Sequence, residues 1–132
     1  MEQNRPPISR GETEILKAVW AIEKGSVGEI FSAVSSQSSI DYSTVQTYVR
    51  RLEAKGYLSA KRVGRNKIYR SAIGRAQVFA EAIDEMLERL FDGQLLPMVK
   101  LVVDNRTVSP EEIDDLMQIV LKLQRAQEQE DA

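Results

Sequence analysis

Apolar residues near the start of the chain recur with helical spacing and predict two helices. Each helix begins at a capping box, in which a serine caps the helix and a glutamate three residues later bonds back to it; the boxes are Ser9–Glu12 and Ser26–Glu29. We expect the first helix to end at Gly25, just ahead of the second box. The apolar positions are Ile15, Leu16, Val19 and Ile22 in the first helix, and Ile30, Phe31 and Val34 in the second.

A third helix is predicted from about Ser43 to Lys55. Its core face is indicated by Val45, Val49 and Leu52, which lie four and three residues apart and therefore share one side of a helix. The serines that separate it from the second helix form a polar loop.

The pattern then changes to that of strands. Tyr57–Val63 and Ile68–Ala72 are rich in β-branched and aromatic residues, and the turn sequence Gly64-Arg65-Asn66-Lys67 lies between them. Three helices followed by a hairpin is the order of a winged helix-turn-helix. The sequence therefore predicts a winged-helix domain over residues 1–75.

Helical spacing returns after Gly74 and predicts three more helices in residues 76–132. The fourth has an apolar stripe at Phe79, Ile83, Met86, Leu87 and Leu90. The fifth, Leu95–Val103, is apolar on nearly every face, so it must be enclosed either within the chain or by a second chain. A sixth helix begins at Ser109-Pro110-Glu111-Glu112, a cap followed by a proline in the first turn.

Three short helices form a poor core on their own, so we expect residues 76–132 to be a dimerisation domain of a homodimer. In the predicted interface, the fifth helix of each chain packs against the sixth helix of the partner. Its residues are Leu95, Met98, Val99, Leu101 and Val102 on the fifth helix, and Ile113, Leu116, Val120 and Leu123 on the sixth. The predicted fold is mainly α with a small β-hairpin, a winged helix-turn-helix followed by a helical dimerisation region.

Basic residues are concentrated in one segment. Residues 42–75 hold nine Lys and Arg and one acid, Glu53, although the whole chain carries a net charge of −2. Such asymmetry indicates a polyanion as partner. Hydroxyls contact phosphates or bases, and arginine reads guanine with two hydrogen bonds. We therefore predict a double-stranded DNA interface formed by Ser43, Thr44, Gln46, Thr47, Arg50 and Arg51 on the third helix and by Arg62, Arg65 and Lys67 on the hairpin.

Other classes of function are disfavoured by composition. The chain has no cysteine and no histidine, so it lacks soft metal ligands, a thiol nucleophile and the usual general base. We expect no metal, no cofactor and no enzyme activity. The N-terminus has no apolar signal segment, and Leu95–Val103 is too short to span a bilayer. We therefore expect a cytoplasmic protein without membrane insertion.

Two further interpretations of the winged-helix domain stay open at this point. A ligand-responsive winged-helix regulator of another family would place polar groups among the apolar residues of helices four to six. A winged-helix protein-interaction module would lack a basic, hydroxyl-rich face on the third helix.

The sequence also resembles the penicillinase-repressor (BlaI/MecI) family over about residues 8–123. The matching segments are Ile8-Ser9, Glu12–Trp20, Thr44–Thr47, Arg51-Leu52, Lys55–Leu58, Ile68-Tyr69, Leu90–Gly93 and Ser109–Ile113. The resemblance implies a dimeric repressor that sits on a dyad operator with TACA/TGTA-type half-sites. It also implies that Thr44, Thr47 and Arg51 lie on the recognition helix.

For regulation, the resemblance implies a membrane-bound sensor metalloprotease as partner and induction by cleavage of the repressor in its dimerisation part. The sequence departs from the family in two respects. The Asn-Phe bond that is cleaved in the penicillinase and methicillin-resistance members aligns near Leu101-Val102 and is absent here. The cysteine-rich metal motif of the copper-responsive relatives is absent as well.

Overall fold

The computed structural model of the chain describes residues 5–131. Within that range, helices predominate and three short strands form one small sheet, which confirms the predicted fold class. The elements in chain order are α1 (Arg10–Ile22), β1 (Lys24–Gly25), α2 (Val27–Ser35), α3 (Tyr42–Ala54), β2 (Leu58–Val63), β3 (Asn66–Ser71), α4 (Arg75–Phe91), α5 (Leu95–Asp104) and α6 (Pro110–Asp131).

The chain divides into two compact units, one up to Ile83 and one from Asp84 onward. We call them the winged-helix unit and the C-terminal unit. The division falls within α4, so the first half of that helix packs with the winged helix. Val78, which is buried, belongs to this half of α4.

Both predicted capping boxes are confirmed. The Ser9 hydroxyl accepts a hydrogen bond from the Glu12 amide at 3.2 Å, and the Ser9 amide donates to the Glu12 carboxylate at 2.8 Å. Ser26 and Glu29 repeat the same two bonds at the start of α2. Each box satisfies backbone donors that the first turn of a helix leaves without partners.

The prediction that Gly25 ends the first helix is wrong. α1 ends at Ile22, and Glu23 takes a left-handed φ of 73°. Gly25 lies in β1, where it pairs with Tyr69 as part of a third strand that the sequence did not predict. A Cβ atom at Gly25 would lie 2.8 Å from Cδ1 of Ile22. The glycine therefore serves close packing between β1 and α1.

The sheet has the strand order β1-β3-β2 and is antiparallel throughout. In the hairpin, Leu58 pairs with Ser71 and Val63 pairs with Asn66. Only Gly64 and Arg65 remain in the turn, and Gly64 has a φ of 64°. The predicted four-residue turn was thus too long, because Asn66 and Lys67 continue the ladder of β3.

The core of the winged-helix unit lies between α1, α2, α3 and the sheet, as the apolar spacing predicted. Ile15, Val19, Ile30, Val45 and Leu52 are fully buried. Burial of one such side chain contributes roughly 1.5–3 kcal/mol relative to exposure.

The C-terminal unit differs, because α5 and α6 contain no buried residue in the described chain. Ser109 caps α6 as predicted, accepting from the Glu112 amide at 3.1 Å. Large apolar side chains nonetheless stand exposed along both helices. They are Leu95, Leu96, Val99, Leu101, Val102 and Val103 on α5, and Ile113, Leu116, Met117, Ile119, Val120, Leu121 and Leu123 on α6. None of the helices in residues 5–131 combines the length and apolar character needed to cross a membrane.

Candidate nucleic-acid interface

α3 has one buried face and one exposed face. Val45, Val49 and Leu52 are fully buried and fix the orientation of the helix on the core. Opposite them lie the side chains that the sequence predicted for DNA contact. Of these, Ser43, Gln46, Arg50 and Arg51 are exposed, and Thr44 and Thr47 are partly exposed.

Thr47 has a defined hydrogen-bonding role. Its hydroxyl donates to the Ser43 carbonyl at 3.0 Å, one helical turn back. Because this bond uses the only proton of the hydroxyl, the oxygen is left as an acceptor. Thr47 can therefore accept from an exocyclic amino group of adenine or cytosine, or offer its methyl group to thymine.

Arg51 is supported from within the unit. Its guanidinium lies 6.0 Å from the centroid of the Tyr48 ring, a cation–π distance. Tyr48 packs tightly against Gly11 in α1, where a Cβ atom would lie 2.6 Å from the ring. Glycine at this position lets the ring approach α1, and the ring in turn lies beneath the arginine.

The hairpin presents its cations on both sides of the turn. Arg62 and Lys67 are cross-strand partners, and Arg65 occupies the turn itself. All three are exposed. Cross-strand partners point to the same face of a sheet, and so do residues two apart on one strand. Arg62 and Lys67 therefore lie on the same face as the buried Tyr69, nearer to the tip of the hairpin. We call residues 58–71 the wing.

The basic residues of this surface differ in their partners. Lys67 lies 3.5 Å from Glu53 of α3, so the structure places this predicted DNA contact in an ion pair. Arg50, Arg51, Arg62 and Arg65 have no carboxylate partner within residues 5–131. The guanidinium donors of these arginines are therefore available to an external anion.

Sequence reasoning missed the contacts that hold the end of α3. Lys55 Nζ donates to Glu12 at 2.7 Å and to the Pro7 carbonyl at 2.9 Å, and the Tyr57 hydroxyl donates to the Pro6 carbonyl at 2.9 Å. Glu12 is buried. The capping box explained Glu12 from sequence alone, and nothing in the spacing pointed to its second partner.

Burial alone would raise the pKa of Glu12, but the hydrogen bonds from Lys55 and Ser9 and the charge of Lys55 outweigh it and lower the pKa. Burial and the nearby Glu81 carboxylate raise the pKa of Tyr57, which keeps its hydroxyl protonated as a donor. Both groups hold the residues before α1 against the C-terminal end of α3.

Comparison with known proteins finds a matching family and similar regulatory proteins. Residues 8–122 match the family described as Penicillinase repressor. The chain is 31% identical over 115 residues to the penicillinase repressor of Bacillus licheniformis, which covers 87% of this chain and 90% of that protein. It is 22% identical over 122 residues to the methicillin resistance regulatory protein MecI of Staphylococcus aureus (strain N315), with coverage of 92% and 99%.

A solved structure resembles part of the fold. It is the solution structure of monomeric Bacillus licheniformis BlaI in complex with the blaP half-operator, at 29% identity and a TM-score of 0.50. The similarity covers 57% of this chain and 92% of that one.

Proposed function

The chain belongs to the penicillinase repressor family, and from that membership we propose that it is a homodimeric transcriptional repressor that binds a dyad DNA site. Each protomer places α3 in the major groove and lays its wing against the phosphate backbone. One observation carries the proposal. The exposed face of α3 combines hydroxyls with arginines that have no carboxylate partner among residues 5–131, and this face is followed directly by a basic wing.

The side chains divide by the chemistry they offer. Gln46, Thr47 and Arg51 are suited to base edges, because they provide an amide, an acceptor hydroxyl and a two-pronged donor. Ser43, Thr44 and Arg50 accompany them on the exposed part of α3. The wing residues Arg62, Arg65 and Lys67 contact phosphate, which positions the protein without reading sequence.

The C-terminal unit supplies the dimer contact in this proposal. The α5 residues Leu95, Met98, Val99, Leu101 and Val102 pack against α6 of the partner. A shallow groove on α6 supports this arrangement, since it is lined only by Ile113, Leu116, Met117, Val120 and Leu121. A lining without polar groups suits an apolar protein surface better than a small ligand that must be recognised by hydrogen bonds.

For induction we propose cleavage in the C-terminal unit by a sensor metalloprotease, as family membership implies. The corresponding bond, Leu101-Val102, lies within α5. Since the sequence there is not Asn-Phe, the protease must accept a branched apolar pair. Mass spectrometry of the repressor from induced and uninduced cells tests this step. An intact chain in induced cells would contradict it.

DNA binding is tested with a duplex that the purified protein selects from a random pool, compared with a shuffled duplex of the same composition. We expect the selected duplex to bind more tightly. Its affinity should fall by orders of magnitude between about 50 and 200 mM salt, because Lys and Arg release counterions from phosphate. Binding that ignores both sequence and salt would contradict the proposed function.

A further inference from the structure

One carboxylate lies within the basic surface. Glu53 is the single acid in residues 42–75, and its Oε1 atom lies 3.5 Å from Nζ of Lys67 on β3. The side chains of Glu53 and Lys67 retain 34% and 48% of their exposure. The pair is therefore accessible to an external anion, unlike the Lys55–Glu12 pair, whose carboxylate is buried.

The position of Glu53 places it beside the predicted DNA contacts. Gln46, Arg50 and Glu53 follow one another at intervals of four and three residues, so they share one flank of α3. The Lys67 contact shows that this flank faces the wing. Lys67 also lies 5.5 Å from the centroid of the Tyr69 ring. Its ammonium thus has two intramolecular partners, one aromatic and one anionic.

We propose that Glu53 is a positioning residue that holds Lys67 beside α3 in the free protein and competes with DNA phosphate for its ammonium. The inference rests on the proposed function, since it concerns phosphate binding by the wing. A carboxylate and a phosphate oxygen are equivalent anionic acceptors for a lysine. The Glu53 carboxylate and a DNA phosphate therefore compete for the ammonium of Lys67. Arg62 and Arg65 need no such exchange, because they have no carboxylate partner within residues 5–131.

The exchange has a consequence for ions. When Lys67 moves to phosphate, the counterion of that phosphate is released, but the freed Glu53 carboxylate gains a counterion. The two effects nearly cancel in the salt dependence of binding. Glu53 therefore lowers the affinity for every DNA sequence. It also keeps the contact between Lys67 and phosphate from adding to the slope of log affinity against log salt.

The test uses the full-length variant Glu53→Gln, which keeps the shape of the side chain and removes its charge. We expect the selected and the shuffled duplex both to bind about two- to fivefold more tightly, the range that one exposed ion pair provides. The slope of log affinity against log salt should steepen by up to about one, the contribution of one phosphate contact.

A matched control separates this effect from net charge. Glu85→Gln breaks the exposed Arg89–Glu85 pair in the C-terminal half of α4 and changes net charge by the same amount. We expect it to leave DNA affinity unchanged. Thermal unfolding checks the fold of each variant, and Glu53→Ala provides a second way to remove the same charge.

The decisive experiment repeats the Glu53→Gln substitution in a protein that already carries Lys67→Ala. If Glu53 acts by competition for Lys67, Glu53→Gln should gain little affinity once Lys67 is absent. An equal gain in both backgrounds would overturn the proposal in favour of direct repulsion between Glu53 and DNA. Unchanged or weaker binding by Glu53→Gln in the wild-type background would also overturn it. Failure of the wild type to bind any duplex would instead contradict the proposed function.

Discussion

The winged-helix unit and the C-terminal unit bury their apolar residues to very different extents. In the first, Ile15, Val45 and Leu52 are inaccessible to solvent. In the second, Leu95 and Leu123 remain 59% and 58% exposed, and no residue of α5 or α6 is buried. Apolar residues recur with helical spacing in α1, α3 and α6 alike, so for these helices the difference lies in what covers the apolar face.

The winged-helix unit therefore contains its own core, whereas the C-terminal unit leaves the apolar residues of α5 and α6 exposed. Exposed apolar areas of this extent mark interaction sites on soluble proteins. A second copy of the chain fits the proposed function, because a dyad DNA site needs two recognition helices.

The largest effect is expected from Val99→Asp on α5. In the proposed dimer this change buries an unpaired charge, which is strongly unfavourable. We expect the dimer to dissociate and the affinity for a dyad duplex to fall by roughly 10²–10⁴-fold, since two linked heads gain that much from effective concentration. Sedimentation velocity and fluorescence anisotropy measure the two effects.

The same variant should leave the winged-helix unit folded. Its matched control is Lys100→Gln, which changes the net charge by the same amount at the adjacent, exposed position of α5 and should leave the dimer intact. A dimeric Val99→Asp protein with normal affinity would show that α5 is not the interface.

A core substitution in the winged-helix unit should behave differently. Leu52→Ala leaves a cavity among fully buried side chains and should cost about 2–5 kcal/mol of unfolding free energy. We expect this loss to be independent of protein concentration. Leu116→Ala on α6 should instead weaken stability in a concentration-dependent manner, because its burial depends on the partner.

Denaturant unfolding at several protein concentrations measures the stability losses of Leu52→Ala and Leu116→Ala. If Leu116→Ala lowers the stability by the same amount at every protein concentration and keeps the concentration dependence of the wild type, Leu116 lies outside the interface. If neither protein shows any dependence, the C-terminal unit is stable without a partner.

Within the winged-helix unit, α3 and the wing should separate into two classes of DNA contact. Thr47→Ala should weaken binding to the selected duplex by about 1–3 kcal/mol and relax sequence preference, as expected for a lost base contact. Arg65→Ala in the turn should weaken the selected and shuffled duplexes alike. Equal effects of Thr47→Ala on both duplexes would assign Thr47 to phosphate contact.

The sequence predicted the elements of the winged-helix unit because local signals there agree with the tertiary structure. Both capping boxes and the core face of α3 could be read from residue spacing. β1 could not, since Lys24 and Gly25 form a strand only by pairing with Arg70 and Tyr69 far along the chain. The end of α1 was misread for the same reason, because Gly25 serves packing against Ile22.

In the candidate site too, local features could be predicted from the sequence, whereas contacts between distant residues could not. The exposed face of α3 followed from the helical period, as did the basic character of the wing. The Lys67–Glu53 and Lys55–Glu12 pairs join residues 14 and 43 positions apart, and no periodic pattern links such positions. Charge counting therefore identified the surface but not which of its cations are already paired.

The smallest effect is expected in the pH dependence of stability, through the carboxylate of Glu12. Because the pKa of folded Glu12 is lowered, its stabilising contribution is complete above the ordinary value of 4.5 and is lost as pH falls through the folded pKa. We expect Glu12→Gln to be less stable than the wild type at neutral pH, with the gap narrowing below about pH 4.5. Thermal unfolding across pH 3–7 measures this gap. A gap that stays constant would contradict the lowered pKa.

The stoichiometry of the DNA complex tests the account most directly, and sedimentation equilibrium with a labelled selected duplex measures it. We predict a free protein of twice the chain mass of 14.9 kDa and a complex that holds two chains on each dyad duplex. A free chain that stays monomeric at micromolar concentration, or a complex saturated by one chain, would contradict the claim that a second copy completes the C-terminal unit.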